Sequence, residues 1–393
     1  MTESGDAWSD FEREAMHRAL ALAALGARST QPNPRVGCVI VRDGVIVGEG
    51  WHQRAGEPHA EVFALRAAGV LARGATAFVT LEPCNHHGRT PPCTLALIEA
   101  GIARVIFACG DPNPRVDGSG AARLRAAGIA VEVGLCAQEG EELNRGFFKR
   151  MRTGRPWLRL KLAASVDGRT ALAHGESRWI TSAAARADVH RFRAESAAIL
   201  STSATVLADD PQLDARPPND AQPPNDAQPA NGAQPLPLRQ PLRVILDQHL
   251  RVPVQARVFS TGGEVVRLAG AAASAAVSAT HAKGPAVAEA SRIERIALGE
   301  DGRLNLDAAL AWMGGAGLNE VWTECGPTLA GALLDRRLVD EMVLYLAPKL
   351  LGSTARPLVE IAAPARLAEA MTWQVHDLQQ IGPDIRIMLR RDR

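Results

Sequence analysis

A histidine, a glutamate and two cysteines stand at spacings that could assemble one metal centre. His59-Ala60-Glu61 is followed by Glu82-Pro83-Cys84, and Cys93 stands nine positions further on. One imidazole and two thiolates are three borderline-soft donors, a set suited to tetrahedral zinc (Zn2+) with the fourth position open to water. Glu61 lies two positions from His59 and is not required as a ligand. It is free to take a proton from that water and hand it to a leaving amine, which is hydrolytic deamination. A purely structural zinc knot would use four protein ligands and would have no need of the carboxylate.

The pattern matches the histidine-x-glutamate and proline-cysteine-x-x-cysteine signature of zinc nucleobase deaminases in all but one respect. Eight residues, Asn85 to Pro92, separate the two cysteines where the short form has two. They must form a loop that brings the thiolates together, and the paired prolines lower the entropy lost in closing it. His86 and His87 in this loop are spare donors, and the three-ligand set is complete without them.

A second stretch with chemical potential is Glu324-Cys325-Gly326-Pro327-Thr328-Leu329-Ala330-Gly331. A glycine turn that opens a helix after a strand presents backbone N–H groups and the helix dipole to an anion, commonly a cofactor phosphate. The stretch lacks the three-glycine dinucleotide fingerprint and the lysine of a phosphate loop, and a plain strand-to-helix turn accounts for it equally well. Glu324 adds weight, because carboxylates at the carboxyl ends of strands tend to face a binding crevice. Trp179 and Arg216 could flank the same cleft, or be a packed and a solvated side chain.

The elements that must position these residues are legible from pattern. Ser9 and Glu12 have capping-box spacing, and Phe11, Ala15, Ala19 and Leu22 recur on one face of an opening helix. Residues 36–41 and 45–47 flank Arg42-Asp43-Gly44 as a hairpin. Residues 59–72 form a helix with His59 and Glu61 near its N-terminus, where the dipole favours neutral, metal-bound imidazole over imidazolium. Strand and helix then alternate: strands at 75–81, 105–109 and 129–133, and helices at 94–100 and 121–127. The basic stretch Lys149 to Pro156 reads as a turn-forming linker, and the boundary is placed so that domains span 1–150 and 151–393. The second domain restarts with a strand at 157–163 and a turn at Ser165 to Arg169. Further strands are expected at 199–201, 242–247, 320–323 and 342–347. Pro217 to Gln222 repeats as Pro223 to Gln228, with a degenerate third copy after it. This low-complexity insertion, 217–240, lacks the apolar side chains that would offset the entropy of ordering. An alanine-rich tract, 271–290, is a second low-complexity segment.

With 393 residues the chain is long enough for two separate cores. The 44 Lys and Arg against 43 Asp and Glu leave no net field to attract nucleic acid or membrane. Met1 to Ser9 holds two acidic and no basic residues, and no apolar run approaches the roughly 18 to 20 residues of a membrane span, so a cytoplasmic protein is expected. Of the six cysteines only Cys84 and Cys93 are closely spaced. The others, Cys38, Cys109, Cys136 and Cys325, read as small buried residues of a reduced compartment.

Taken together, His59-Ala60-Glu61, the run Glu82 to Cys93 and Gly110-Asp111-Pro112-Asn113-Pro114 resemble the deaminase half of the bifunctional riboflavin-biosynthesis deaminase-reductases. The long cysteine spacing is that family's own form. Lys161 to Arg169, Ser177-Arg178-Trp179-Ile180-Thr181 and Glu324 to Thr328 are similar to its reductase half. The resemblance implies a cytidine-deaminase-like three-layer α/β domain followed by a dihydrofolate-reductase-like α/β domain. It implies zinc on His59, Cys84 and Cys93 with Glu61 as proton shuttle, and substrate contacts from Asn33, His52, Arg89 and Asn113. In the reductase half it implies NADPH against Ala163, Trp179, Thr205, Asp209 and the run Gly326, Pro327, Thr328, Leu329, Ala330, Gly331 and Ala332. It assigns a phosphoribosyl substrate to Ser177, Arg193, Leu213, Arg216 and Glu324, with Lys161 as a further participant. The departures are the proline-rich insertion and Cys325, where the family more often has glycine or alanine; Gln248 falls where a smaller polar residue often touches the cofactor. The expected partners are small phosphoribosyl pyrimidines, with neither nucleic acid nor membrane, in a homo-oligomer.

Overall fold

The computed structural model describes residues 8–86, 91–114, 116–216, 238–271 and 291–391. Those up to Gly154 form one compact unit, and those from Arg155 onward form another.

The first unit opens with α1 (Asp10–Ala24). The Ser9 hydroxyl accepts the Glu12 N–H at 3.2 Å while Glu12 accepts the Ser9 N–H at 2.9 Å, the reciprocal cap expected. Ala15, Met16, Ala19 and Leu22 are buried, but Phe11 is 39% exposed and lies outside the apolar stripe. β1 (Gly37–Arg42) and β2 (Val45–Trp51) pair antiparallel across Asp43 and Gly44, whose φ angles of 51° and 75° suit a tight two-residue hairpin. α2 (Ala60–Ala68), β3 (Thr76–Val79), α3 (Cys93–Glu99), β4 (Arg104–Phe107), α4 (Ser119–Ala126) and β5 (Ala130–Val133) follow. Regular helix stops at Ala68, short of the expected Ala72, because Gly69 turns to φ 53° and the chain continues as a 3-10 turn. The sheet order is β2-β1-β3-β4-β5, with β3, β4 and β5 parallel. Ala60, Ala64, Leu97 and Leu124 from α2, α3 and α4 pack on one face, and Ala15, Met16, Ala19 and Leu22 of α1 on the other, giving three layers.

Two further helices, α5 (Ala137–Leu143) and α6 (Arg145–Thr153), were not expected from pattern. Lys149 to Thr153 is therefore helical where a linker turn was expected. Phe147 and Phe148 are buried with Leu81 and Cys109, and Arg150 and Arg152 lie over their rings at 5.9 and 4.9 Å. Gly154, at φ 70°, ends the helix.

The second unit contains β6 (Trp157–Ser165), β7 (Arg169–Ala171), α7 (Ala183–Glu195), β8 (Ala198–Thr202), α8 (Ser203–Asp209), β9 (Leu242–Leu246), β10 (Val265–Gly270) and β11 (Ser291–Ile296). It continues with α9 (Leu306–Gly315), β12 (Glu320–Glu324), α10 (Pro327–Asp335), β13 (Glu341–Ala347), β14 (Arg356–Pro357), β15 (Gln374–Ile381) and β16 (Asp384–Arg390). Nine strands form one sheet in the order β11-β10-β9-β8-β12-β6-β13-β16-β15. The run from β11 to β13 is parallel, and β16 and β15 close the edge antiparallel. Both faces of the parallel run are buried, one around Leu160, Leu200 and Val321, the other around Ile199, Ile245 and Trp322. Small β7 and β14 pair separately.

All six cysteines are free. Cys38 and Cys109 are buried as expected, whereas Cys136 and Cys325 are only partly so. Among the described residues no helix is long and apolar enough to cross a membrane.

Within the second unit's sheet Arg159, 4% exposed, bonds Glu341 at 2.5 Å and lies 3.0 Å from Glu320, while Arg390 bonds the same Glu341 at 2.9 Å. Removing one member of such a group leaves an uncompensated buried charge, at a cost of roughly 3–5 kcal/mol. Glu341→Ala should lower the second unit's calorimetric midpoint by roughly 6–20 °C and leave the first unit's transition in place; a shift below about 2 °C would mean that water already screens the cluster.

Most of the expected insertion, residues 217–237 of 217–240, and most of the alanine-rich tract, 272–290, lie outside the described residues. The flanks of the insertion are held without it: the Ala215 N–H donates to Gln240 Oε1 at 2.9 Å, and Gln240 Nε2 donates back to the Ala215 carbonyl at 2.8 Å. Because doubling a surface loop costs only about 0.6 kcal/mol, deleting Pro218 to Gln234 should leave the thermal midpoints within about 2 °C of the parent's. A larger drop in differential scanning calorimetry would give the segment a packing role.

Candidate active sites

In the first unit, His59 is the N-cap of α2, Cys93 opens α3, and Cys84 follows β3. α2 can lie close on β2 only because β2 carries glycines. A Cβ at Gly50 would sit 2.4 Å from the Ala60 carbonyl oxygen, and one at Gly48 2.3 Å from that of Ala64. Even alanine would lift α2, and His59 with it. His59 Nδ1 is 3.2 Å from Cys93 Sγ and 3.5 Å from Cys84 Sγ, and the Cys93 N–H donates to Cys84 Sγ at 3.4 Å. Tetrahedral zinc with Zn–S near 2.3 Å and Zn–N near 2.0–2.1 Å implies N···S edges of roughly 3.6 Å. The three donors already stand at about that spacing, so the residues fit the ion.

The hydrogen bond with Cys93 holds the Cys84 thiol down to about 4 against burial, with His59 assisting, and pushes Cys93 well up. His59 is raised, first by its bond to Cys84. Glu61, in the first turn of α2, is buried, and burial pushes its carboxyl up. Its Oε2 has no hydrogen-bond partner among the described residues. A buried, unsatisfied carboxylate oxygen facing this electrostatic neighbourhood is suited to accept a proton from water.

Asn33 and His52 are brought together beside the donors. His52 Nε2 is 3.0 Å from Asn33 Nδ2, its Nδ1 is 3.1 Å from the Pro58 carbonyl, and its ring meets that of His59 edge-on at 5.1 Å. Nδ1–H donating to Pro58 leaves Nε2 to accept from Asn33. Burial holds the imidazole at about 4, so it is neutral. Asn113 lies on the loop after β4, its N–H bonded to Asp111 Oδ1 at 2.8 Å. Arg89 and His87 lie outside the described residues, and His86 is not in the donor group.

In the second unit a cavity of about 1610 Å³ opens along the carboxyl ends of the parallel strands. Ala163, Trp179, Thr205, Asp209, Gly326, Pro327, Thr328, Leu329 and Ala332 line it, as do Ser177, Arg193, Leu213, Arg216, Glu324 and Lys161. Ala330 and Gly331 do not: Ala330 is buried in the core, and a Cβ at Gly331 would lie 1.8 Å from the Glu360 carbonyl oxygen. Gln248 lines the cavity with its amide committed to the Gly302 carbonyl at 2.8 Å. Gly326 is the N-cap of α10 with open space where its Cβ would be, and Pro327 occupies the first helical position. The next N–H groups have no intrahelical acceptor, so the cradle suits a phosphate. Trp179 is 63% exposed, with the Arg186 guanidinium 4.3 Å above its ring.

Glu324 forms a two-pronged bond with Arg193 at 2.5 and 2.9 Å and accepts Trp322 Nε1–H at 2.8 Å. Burial opposes its charge, but Arg193 and then Lys161 prevail and bring it to about 2. Burial pushes the Lys161 ammonium down. Arg216 pairs with Asp214 at 3.1 Å. Two residues escaped the sequence reading. His190 lines the cavity on the same face of α7 as Arg186, Val189 and Arg193, a helical spacing visible in the sequence. Glu82 is a buried carboxylate beside Pro83, and its neighbours are far away in sequence.

Residues 9–109 match the cytidine and deoxycytidylate deaminase zinc-binding region, and residues 156–387 match the RibD C-terminal domain. The chain is 50% identical to the riboflavin biosynthesis protein RibD of Escherichia coli over 94% of this chain and 96% of that protein. It is 47% identical to RibD of Haemophilus influenzae over 95% of each. Among solved structures, Acinetobacter baumannii RibD is 41% identical with a TM-score of 0.84, covering 97% of this chain and 99% of that one. The diaminohydroxyphosphoribosylaminopyrimidine deaminase/5-amino-6-(5-phosphoribosylamino)uracil reductase of Thermotoga maritima is 30% identical with a TM-score of 0.79, at the same coverage. With a zinc-binding deaminase unit followed by a reductase unit over nearly its whole length, the chain belongs to the RibD family of bifunctional riboflavin-biosynthesis enzymes.

Proposed function

We propose that the first unit hydrolyses the ring amine of 2,5-diamino-6-(5-phosphoribosylamino)pyrimidin-4-one, and that the second reduces the ribose of the resulting 5-amino-6-(5-phosphoribosylamino)uracil to its ribityl form with NADPH. The observation that carries the first step is the unpartnered, buried Glu61 oxygen beside His59, Cys84 and Cys93. Zinc held by those three residues supplies a Lewis acid that acidifies water. Glu61 accepts the proton and, because burial favours its neutral form, keeps it until it passes to the departing amine. His52 fixes the Asn33 amide through Nδ2, so that Asn33 Oδ1 is the atom offered to the pyrimidine. Arg89 and Asn113 complete the contact set.

In the second unit NADPH supplies the hydride. The Gly326 cradle and the first turn of α10 receive its phosphates, and Ala163, Trp179, Thr205 and Asp209 line its path. Glu324, ionised by Arg193, accepts hydrogen bonds from sugar hydroxyls and cannot donate a proton. The proton that accompanies the hydride comes from Lys161, whose ammonium burial destabilises. Arg193 is occupied by Glu324, so its part is to orient that carboxylate, with Ser177 and Leu213 shaping the wall. Arg216 exchanges Asp214 for the substrate phosphate, which matches its two-pronged geometry. The free cysteines fit a reducing cytoplasm, and the reading includes a homo-oligomer, to be checked by sedimentation.

Glu61→Gln should bind one zinc per chain by metal analysis yet lose deamination by at least about a hundredfold. Loss of zinc in that variant would make Glu61 a ligand and overturn the assignment. Cys84→Ser should lose the metal itself.

Gly326→Val places a branched side chain in the open cradle and should raise the NADPH KM by at least about tenfold while deamination continues at the parent rate. Steady-state kinetics varying NADPH and substrate separately provide the check. An unchanged NADPH KM would place the cofactor elsewhere.

A further inference from the structure

Glu82 is only 4% exposed and has no part in the chemistry described above. Its Oε1 accepts the Ala121 N–H at 3.0 Å, and its Oε2 accepts the Gly118 N–H at 3.0 Å and the Asp111 N–H at 3.5 Å. Its own N–H donates to the Cys109 carbonyl at 2.9 Å. One carboxylate therefore gathers the first turn of α4 and the start of the loop after β4. Gly120 permits the approach, since a Cβ there would lie 2.1 Å from the Pro83 carbonyl oxygen. From Asp111 the connection continues to Asn113, whose N–H is bound by Asp111 Oδ1 and whose carbonyl accepts the Val116 and Asp117 N–H groups at 2.8 and 3.2 Å. At the other end, Glu82 is two residues from the donor Cys84.

We infer that Glu82 is a positioning residue of the deaminase: its carboxylate sets the distance between the metal donors and Asn113, and so the depth at which the pyrimidine is held. The inference rests on the reading of Asn113 as a substrate contact. Backbone N–H groups on a buried carboxylate form charge-assisted bonds, stronger than neutral ones. Glutamine keeps one acceptor oxygen and turns an NH2 toward the other donors, so one side of the clamp must open. The metal donors are untouched by this change. Binding of the substrate should suffer, and the later proton transfers should not.

The test is Glu82→Gln in the whole chain, with reductase activity as the control for enzyme concentration, the first unit's calorimetric midpoint as the control for its folding, and zinc content as the control for the donors. We expect a deaminase KM raised at least about tenfold, kcat within about threefold of the parent, one zinc per chain and unchanged reduction. In an Asn113→Ala background, which should itself raise KM, Glu82→Gln should add less than about threefold, because both changes act through the same contact. An unchanged KM in Glu82→Gln, a loss of zinc, or the full tenfold factor reappearing in the Asn113→Ala background would each overturn the inference. An Asn113→Ala protein with the parent's KM would remove the substrate contact itself, and the inference with it, an outcome recognisable without any change at Glu82.

Discussion

A parallel strand cannot turn straight back into its neighbour; it needs a crossover, and when that crossover is a helix, the carboxyl end of the strand faces the amino end of the helix. Both units are built on this constraint, and their reactive residues collect at that junction. His59 caps α2, Cys93 opens α3, Thr202 caps α8 through the Thr205 N–H, and Gly326 caps α10. A helix N-terminus offers unpaired N–H groups and a positive field, so it stabilises thiolates, carboxylates and phosphates. The first unit places a thiolate and a carboxylate there, and the second leaves a cradle suited to the phosphates of NADPH.

Within that field, three glutamates behave differently, and their neighbours explain why. Glu61 meets burial with an unpartnered oxygen, so its neutral form is favoured and it can carry a proton. Glu324 is only partly exposed at the cavity wall, where Arg193 and Lys161 hold it ionised at about 2. Glu82 has three backbone N–H groups and serves as a fastener. A carboxylate becomes a proton carrier, an electrostatic anchor or a structural clamp according to what surrounds it. The two sites belong to units with separate cores, so an alteration in one unit leaves the other's activity as a reference for the amount of enzyme.

Elements specified by neighbouring residues were legible in the chain. The Ser9 and Glu12 cap, the Asp43-Gly44 hairpin and the glycine turn into α10 depend on contacts a few residues long, and the structure has each where spacing places it. α6 was not legible, because its stability comes from Phe147 and Phe148 packing on Leu81 and Cys109, residues remote in sequence. The exposure of Phe11, and the turning of Ala330 and Gly331 away from the cavity, likewise depend on what packs opposite them.

What the sequence determined by itself was the chemistry: the donor types and their order name a metal, an acid-base partner and a strand-to-helix anion cradle, because ligand preference and backbone geometry are local properties. What only the tertiary structure decided was which distant groups meet. Glu324 lies 131 residues from Arg193, a pairing with no local signature, and Glu82 reaches its three N–H donors across 29 to 39 residues. Such contacts form only when the sheet has ordered its strands, and they set Glu61 where burial raises its carboxyl and Glu324 where Arg193 keeps it ionised against burial.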